Sequence, residues 1–211
     1  MLLRFVECFI GEMMELPVVG SALPRRGNGF TRQLALWAFW LSGWWLEGKL
    51  PNLPKFVIVG APHRSSWEFW LAMMSIYGLG LRVNWMAKHS LFRWPIGGIM
   101  RWLGGIAINR LERHGVVTQS VEEFARRPQM ILALAPEGTR AKAGCPVAEW
   151  KSGYYHIAYG AQVPIVPAYV DNTRKRLIFG EPLAPTGDID ADGQTLQAFY
   201  DQALVASRQS T

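Results

Sequence analysis

The chain has 211 residues and a net charge of +6, and it is 50% hydrophobic but only 18% charged. This length suits one domain with a substantial core, and the apolar composition excludes an intrinsically disordered chain and a coiled coil. Two cysteines are too few for a disulfide framework or a cysteine-based zinc site. Ten tryptophans in a basic chain indicate a membrane interface. The basic residues are scattered among apolar runs without a nucleic-acid-binding motif, so we expect no nucleic-acid partner.

Residues 1–50 are predicted to form an N-terminal membrane-associating helical segment. The uncharged run 33–46 lies between Arg32 and Glu47, and as a helix it would rise about 21 Å, which is too short to cross a bilayer. Its four tryptophans are spaced i, i+3, i+7 and i+8, which predicts one face of a helix lying in the membrane interface. The alternative is a helix buried in the core. The four tryptophans are Trp37, Trp40, Trp44 and Trp45.

From residue 51 onward, short apolar runs alternate with helical patterns. Strands are predicted at 55–60, 82–87, 105–109, 129–135, 163–170 and 176–179. Helices are predicted at 65–79, 91–103, 115–127, 150–161 and 194–206. This alternation predicts an α/β domain over residues 51–211, with a mostly parallel sheet flanked by helices and preceded by the N-terminal segment. In such sheets, functional residues gather where strands end and helices begin.

A histidine and a carboxylate follow the first strand of this predicted domain. His63 comes shortly after the strand, and Glu68 stands five residues later at a predicted helix start. A carboxylate that accepts one imidazole N–H fixes the tautomer, and the other ring nitrogen can then take a proton from a hydroxyl. The same stretch also fits a capping box, with Ser65 as N-cap and Glu68 at N3. A purely structural role for Glu68 therefore stays open.

Three further stretches place basic side chains at strand ends or at a helix start. Residues 137–140, Glu-Gly-Thr-Arg, follow a buried strand and offer a guanidinium and a hydroxyl that suit a phosphate. Arg110 closes a glycine-containing strand, and Lys151 precedes a helix whose first backbone N–H groups favour an anion. Each stretch alone is equally compatible with an ordinary surface turn. Together they predict a basic site at the strand ends of one sheet.

These blocks, in this order, resemble those of the glycerophosphate and lysophospholipid acyltransferase family. The family's first motif is a histidine, four residues and an aspartate, and it is matched here by His63 and Glu68. The later motifs are an arginine closing a glycine-rich strand, a Glu-Gly-Thr-Arg block and a Val-Pro-Ile-Val-Pro block. They are matched by Arg110, residues 137–140 and residues 163–167. The chain departs from the family in one respect, because a glutamate replaces the aspartate of the first motif.

The resemblance covers residues 55–180 and implies an O-acyltransferase of phospholipid biosynthesis. Such an enzyme moves a fatty acyl group from acyl-coenzyme A or acyl carrier protein to the free hydroxyl of a lysophospholipid, here expected to be 1-acylglycerol-3-phosphate. The resemblance implies that His63 is the general base, that Glu68 orients it, and that no metal or bound cofactor is needed. It also implies a site for the acceptor phosphate, formed by Arg140, Arg110, Lys151, Glu137, Gly138 and Thr139.

Two other functions stay open at this point. The acceptor can be a different lyso-lipid, such as one with an amino-acid headgroup, or the protein can be a membrane lipid-binding homologue without turnover. The replacement of aspartate by Glu68 favours the second of these. In either case we expect a monotopic protein on the cytoplasmic face of the inner (plasma) membrane, because run 33–46 is too short to span it.

Overall fold

The helices and strands alternate along most of the chain. The computed structural model describes residues 17–62, 67–108, 113–137 and 150–209. The strands are β1 (Trp45–Glu47), β2 (Lys55–Ala61), β3 (Val83–Lys88), β4 (Gly105–Ile108), β5 (Met130–Leu134), β6 (Ile165–Asp171) and β7 (Arg176–Phe179). The α-helices are α1 (Gly29–Leu41), α2 (Trp67–Gly78), α3 (Gly97–Trp102), α4 (Arg113–Arg126), α5 (Gly153–Gly160) and α6 (Ile189–Arg208), and a 3-10 turn (His89–Phe92) precedes α3.

The strands form one sheet in the order β1-β7-β6-β2-β5-β3-β4. The five strands from β6 to β4 run parallel to one another. β7 is antiparallel to β6, and β1 is parallel to β7. At the centre, Val59 of β2 pairs with Leu134 of β5 and with Pro167 of β6. The predicted α/β class with a mostly parallel sheet is confirmed.

Helices cover both faces of the sheet. α1 and α2 contribute Phe39 and Leu71 to the core on one face. α4, α5 and α6 cover the other face, where Leu196 is among the buried residues. Phe56 and Val57 of β2 belong to opposite cores, because successive side chains of a strand point to opposite faces. Burial on both faces explains why the central strands appear in the sequence as continuous apolar runs.

Helix α1 begins earlier and ends earlier than the predicted helix 33–46. The side chain of Asn28 caps its start by accepting a hydrogen bond from the Thr31 N–H at 2.9 Å, and the Thr31 hydroxyl accepts from the Asn28 N–H. After Leu41 the chain turns through Gly43, whose φ of +73° favours glycine. The chain then enters β1, where pairing with β7 satisfies the backbone in place of helical hydrogen bonds.

The four tryptophans predicted to share one helical face are divided between helix and sheet. Trp37 and Trp40 lie on α1 with ring centroids 6.3 Å apart, and Trp37 is 46% exposed. Trp44 is only 5% exposed and belongs to the core, while Trp45 is partly buried in β1. The prediction that Trp44 and Trp45 continue the face of Trp37 and Trp40 was wrong, because the turn at Gly43 ends the helical periodicity.

Strand β1 lies within the segment predicted as N-terminal and helical. Its residues Trp45, Leu46 and Glu47 pair with β7, so the predicted boundary between residues 50 and 51 falls between two strands of the same sheet. Helix α1 also packs against α2 beside this sheet. Within the described stretches of the chain, no helix is both long and apolar enough to cross a bilayer.

Two other helices differ from the sequence prediction, and in each case a particular residue explains the difference. The predicted helix 91–103 is divided into a 3-10 turn and α3, because Pro95 lacks an amide hydrogen and disfavours helical backbone at Trp94. The closing helix begins five residues before the predicted start of 194–206. Asp188 caps it, since its side chain accepts hydrogen bonds from two N–H groups of the first turn.

Candidate active site

The carboxyl ends of neighbouring parallel strands meet at one edge of the sheet. β2 and β5 are adjacent, and β3 and β4 follow in the same direction. His63 follows β2 in the sequence, Arg110 follows β4, and residues 138–140 follow β5. All of these lie outside the described residues. The strands that precede them therefore end at a common edge, which is where α/β sheets place their ligands.

Glu68 lies in the first turn of α2, directly after the stretch that contains His63. Its side chain is only 6% exposed. It shares the buried face of α2 with Leu71 and Ser75, at i, i+3 and i+7. A carboxylate in such a position is favoured by the helix N-terminus and is costly to bury without polar partners. A carboxylate at the position of Glu68 is therefore suited to holding a neighbouring polar group in place inside the protein.

A second buried carboxyl group, Glu137, lies beyond the end of β5 and is 2% exposed. It lies near Tyr200 of α6. Burial raises the pKa of Tyr200 well above its usual range, and a backbone hydrogen bond from Ala168 opposes this effect. The nearby Tyr154 and Glu137 raise the pKa further. The phenol therefore stays protonated and donates to the carbonyl oxygen of Val59 at 2.6 Å. Tyr200 links α6 to β2 close to the candidate site.

The stretch before α5 is attached to the end of β5. The backbone N–H of Lys151 donates to the carbonyl oxygen of Pro136 at 2.9 Å. The ring of Trp150 packs edge-on against Tyr200 and Tyr154, with centroid distances of 4.9 and 5.9 Å. Its Nε1–H is buried without a hydrogen-bond partner within the described residues. The exposed Lys151 therefore directly follows a residue of a packed aromatic cluster.

Beneath this edge lies a small apolar cluster made of Ala61 at the end of β2, Tyr169 of β6, and Tyr200 and Ala203 of α6. Trp150 packs against it. Sequence reasoning did not identify Trp150 or Tyr200 as site residues. The signal for Tyr200 is the spacing of Leu196, Tyr200 and Ala203 on the buried side of α6, which predicts burial but not proximity to a site.

The structure places three of the predicted site residues. Glu137 and Lys151 come together at the end of β5, and Glu68 lies at the start of the helix that follows β2. The remaining predicted residues, His63, Arg110, Gly138, Thr139 and Arg140, lie outside the described part of the chain. Among the described residues, no group of three or more His, Cys, Asp or Glu side chains could hold a metal ion.

A family model described as acyltransferase matches residues 47–171. The chain belongs to the acyltransferase family. The match runs from the last residue of β1 to the end of β6, and it includes Glu68, Glu137 and Lys151. The resemblance found in the sequence motifs is thereby confirmed.

The chain is similar to two named proteins. It is 33% identical over 96 residues to the 1-acyl-sn-glycerol-3-phosphate acyltransferase of Escherichia coli. This alignment covers 44% of this chain and 38% of that protein. It is 30% identical over 145 residues to the 1-acyl-sn-glycerol-3-phosphate acyltransferase of Haemophilus influenzae. That alignment covers 65% of this chain and 58% of that protein. In both cases the chain spans less than two thirds of the relative's length.

The chain also resembles a solved structure. The crystal structure of the 1-acyl-sn-glycerophosphate acyltransferase of Thermotoga maritima matches with a TM-score of 0.58 and 17% sequence identity. The match covers 82% of this chain and 78% of that one. At this level of identity, the likeness shows a shared fold.

Proposed function

We propose that this acyltransferase moves a fatty acyl group from acyl-coenzyme A or acyl carrier protein to the free hydroxyl of a lysophospholipid. The observation that carries the proposal is the buried carboxylate of Glu68, in the first turn of the helix that follows the His63 stretch. Relatives named as 1-acyl-sn-glycerol-3-phosphate acyltransferases support 1-acylglycerol-3-phosphate as the acceptor.

In the proposed reaction, His63 acts as the general base. A ring nitrogen of His63 takes the proton of the acceptor hydroxyl while that oxygen attacks the thioester carbonyl carbon. The tetrahedral intermediate collapses to an ester, and the departing thiolate takes the proton back from the imidazolium. Glu68 accepts the other imidazole N–H and stabilises the imidazolium. The reaction needs no metal or bound cofactor, and the alignment of the two substrates contributes much of the acceleration.

The phosphate of the acceptor is proposed to bind at the carboxyl ends of β4 and β5. Arg140 would provide the planar fork that suits a phosphate, assisted by Arg110 and Lys151. The exposure of the Lys151 side chain and its backbone hydrogen bond to the end of β5 support this assignment. Glu137 is buried, and a carboxylate repels a phosphate, so we propose that it has a structural role at the end of β5. We propose that the Thr139 hydroxyl donates to the same phosphate and that Gly138 belongs to the same site.

The proposed acceptor is a lipid, so the site must meet the bilayer surface. On α1 the exposed apolar residues recur at i, i+4, i+7 and i+11, which forms one narrow stripe. They are Phe30, Leu34, Trp37 and Leu41. We propose this stripe, which retains only Trp37 of the four predicted tryptophans, as a membrane contact of a monotopic protein on the cytoplasmic face.

The proposal is tested by release of free thiol from the wild-type protein. Acyl-coenzyme A and acyl carrier protein thioesters are each combined with lysophosphatidate, with a lyso-lipid bearing an amino-acid headgroup, and with no acceptor. We expect acceptor-dependent release that is fastest with lysophosphatidate. Faster release with the other lyso-lipid would change the acceptor class. If thiol release equals the no-acceptor control for every pair, the protein binds lipid without turnover. The replacement of aspartate by Glu68 is the sequence feature that favours this alternative.

A further inference from the structure

The connection from β3 to β4 exposes an unusual amount of apolar surface. The crossover patch consists of Leu91, Trp94, Ile96, Ile99 and Trp102. Trp94 is 93% exposed and makes none of the ring contacts found among the described aromatic residues. Scattered apolar residues are normal on a surface, but a contiguous group with two tryptophans indicates a binding surface.

The crossover patch continues onto α2. Trp102 stacks on Tyr77 of α2 with ring centroids 5.9 Å apart, and the guanidinium of Arg26 lies over both rings. Tyr77 shares the outer face of α2 with Trp67 and Trp70, which are half-exposed, at i, i+3 and i+10. The indole and aliphatic groups of α2 and of the crossover therefore form one surface.

Helix α1 borders the same surface. It packs against α2, and a Cβ built on Gly78 would lie 2.9 Å from Leu36, so the glycine permits a close approach of the two helices. The Nε–H of Arg32 donates to the carbonyl oxygen of Gly78 at 3.1 Å and fixes the start of α1 beside the end of α2. The exposed stripe of α1 thus lies alongside the aromatic face of α2.

The charged residues of the crossover and of the segment that includes α1 are basic. Residues 82–102 contain four basic residues, Arg82, Lys88, Arg93 and Arg101, and no acidic one. Residues 17–46, which include α1, contain three arginines and no acidic residue. By contrast, α6 on the other face of the sheet begins with three aspartates at positions 188–192. Basic residues beside exposed indole rings complement an anionic phospholipid surface.

We propose that the crossover patch is a second membrane-contact surface, which docks onto an anionic bilayer together with α1. The proposal rests on the membrane association proposed above. A second copy of the chain is a poor occupant, because two basic surfaces would face each other. The crossover leaves the carboxyl end of β3 and returns to the start of the parallel strand β4, so its first residues, which include Trp94, lie nearest the edge of the candidate active site. Docking through this end of the crossover brings that edge to the lipid surface.

An environment-sensitive fluorophore at position 94 tests this contact directly. Cys8 and Cys145 are replaced by serine, and the single-cysteine variant Trp94→Cys is labelled with a nitrobenzoxadiazole dye. The matched control is Val205→Cys, an exposed position of α6 on the other face of the sheet. With vesicles that contain phosphatidylglycerol, we expect the dye at 94 to shift to the blue and brighten, and the dye at 205 to stay unchanged.

Three results would overturn the proposal. The first is an unchanged spectrum at 94 when the labelled protein sediments with the vesicles, because the contact would then lie elsewhere. The second is a dye at 94 that is already blue-shifted without lipid and does not respond to vesicles. Residues 1–16 or a second copy would then cover the patch, and sedimentation equilibrium distinguishes the two. The third is an equal response to vesicles of neutral phosphatidylcholine alone, which would exclude the proposed anionic partner.

Substitutions provide an independent measurement. Trp94→Ser combined with Ile99→Ser should lower the vesicle partition coefficient by about tenfold or more, since each exposed apolar group loses its burial in the interface. Val205→Ser should leave the partition coefficient unchanged. Thermal unfolding is the control that checks that both variants fold. An unchanged coefficient for the double variant overturns the proposal. Binding is measured without donor or acceptor, so its result is separate from that of the proposed enzymatic activity.

Discussion

The backbone N–H of Lys151 donates a hydrogen bond to the carbonyl oxygen of Pro136, with an N···O distance of 2.9 Å. This contact joins the start of the α5 region to the end of β5, although the two residues lie 15 positions apart in the sequence. It sets the exposed Lys151 next to the buried Glu137. A cation is thereby positioned at the strand edge where the sequence motifs predict a phosphate site.

The two roles considered for Glu68 predict different results for Glu68→Gln. If Glu68 orients His63, the substitution should lower kcat by about 100-fold, because a neutral amide cannot stabilise the imidazolium. Glutamine is also accepted at N3 of a capping box, so the helix should survive. Thermal unfolding and thiol release measure the two effects separately. Nearly wild-type turnover with Gln would leave only the capping role, whereas Glu68→Asp, which restores the family's residue, should retain substantial activity.

Arg140→Lys tests the proposed phosphate site. The charge is kept, but the planar fork that binds a phosphate through two N–H groups is lost. We expect the KM for the acceptor to rise by about tenfold, with a smaller change in the KM for the donor. Arg110→Ala should act in the same direction. A rise confined to the donor KM would assign Arg140 to the thioester substrate instead.

Trp37 and Trp44 form a matched pair on either side of the turn that ends α1. Trp44→Ser should lower the free energy of unfolding by about 3–5 kcal/mol, because it removes a large side chain from the core. Trp37→Ser should leave stability nearly unchanged and weaken sedimentation with anionic vesicles. Thermal unfolding and vesicle sedimentation provide the comparison. If Trp37→Ser sediments like wild type, the α1 stripe does not contribute measurably to membrane binding.

Asp171 predicts a pH-dependent part of the stability. Burial opposes its ionisation, but hydrogen bonds from the Arg174 backbone and guanidinium and from the Ser207 hydroxyl outweigh burial and hold the pKa below its usual value. This contribution is therefore complete above the unfolded pKa of about 3.9 and is lost as the pH falls through the folded pKa.

Asp171→Asn should therefore destabilise the protein by about 1–3 kcal/mol near neutral pH. The difference from wild type should shrink as the pH falls below about 4, since Asp171 is then increasingly protonated in the wild-type protein. Urea unfolding of both proteins across this pH range measures the difference in their free energies of unfolding. A difference that stays constant down to the lowest pH would mean that the carboxylate charge contributes nothing.

Most of the sheet could be predicted from the sequence because its central strands are buried on both faces. Short, mostly apolar runs such as 129–135 are typical of an interior strand, and β7 has the predicted bounds of 176–179. β1 could not be predicted, since Trp45 and Leu46 lie at the end of an uncharged run that has a helical pattern. The strand owes its extended form to pairing with β7, which is distant in sequence.

The candidate site was only partly visible in the sequence. Motif order identified Glu68, Glu137 and Lys151 because each directly follows a strand end or opens a helix. Tyr200 and Trp150 carry no such local signal. Their places depend on how α6 folds back over β2, where the Tyr200 hydroxyl meets the Val59 carbonyl oxygen.

The central claim is that His63 is the base of an acyl transfer reaction. The most direct measurement is thiol release by His63→Ala with acyl-coenzyme A and lysophosphatidate, compared with wild type at equal amounts of folded protein. We predict that kcat falls by about 100-fold or more, with thermal unfolding unchanged, because the proposed general base is then removed and a general base typically contributes about 100-fold or more. A folded variant that keeps more than about a tenth of the wild-type kcat would contradict the account, since a general base contributes far more than that.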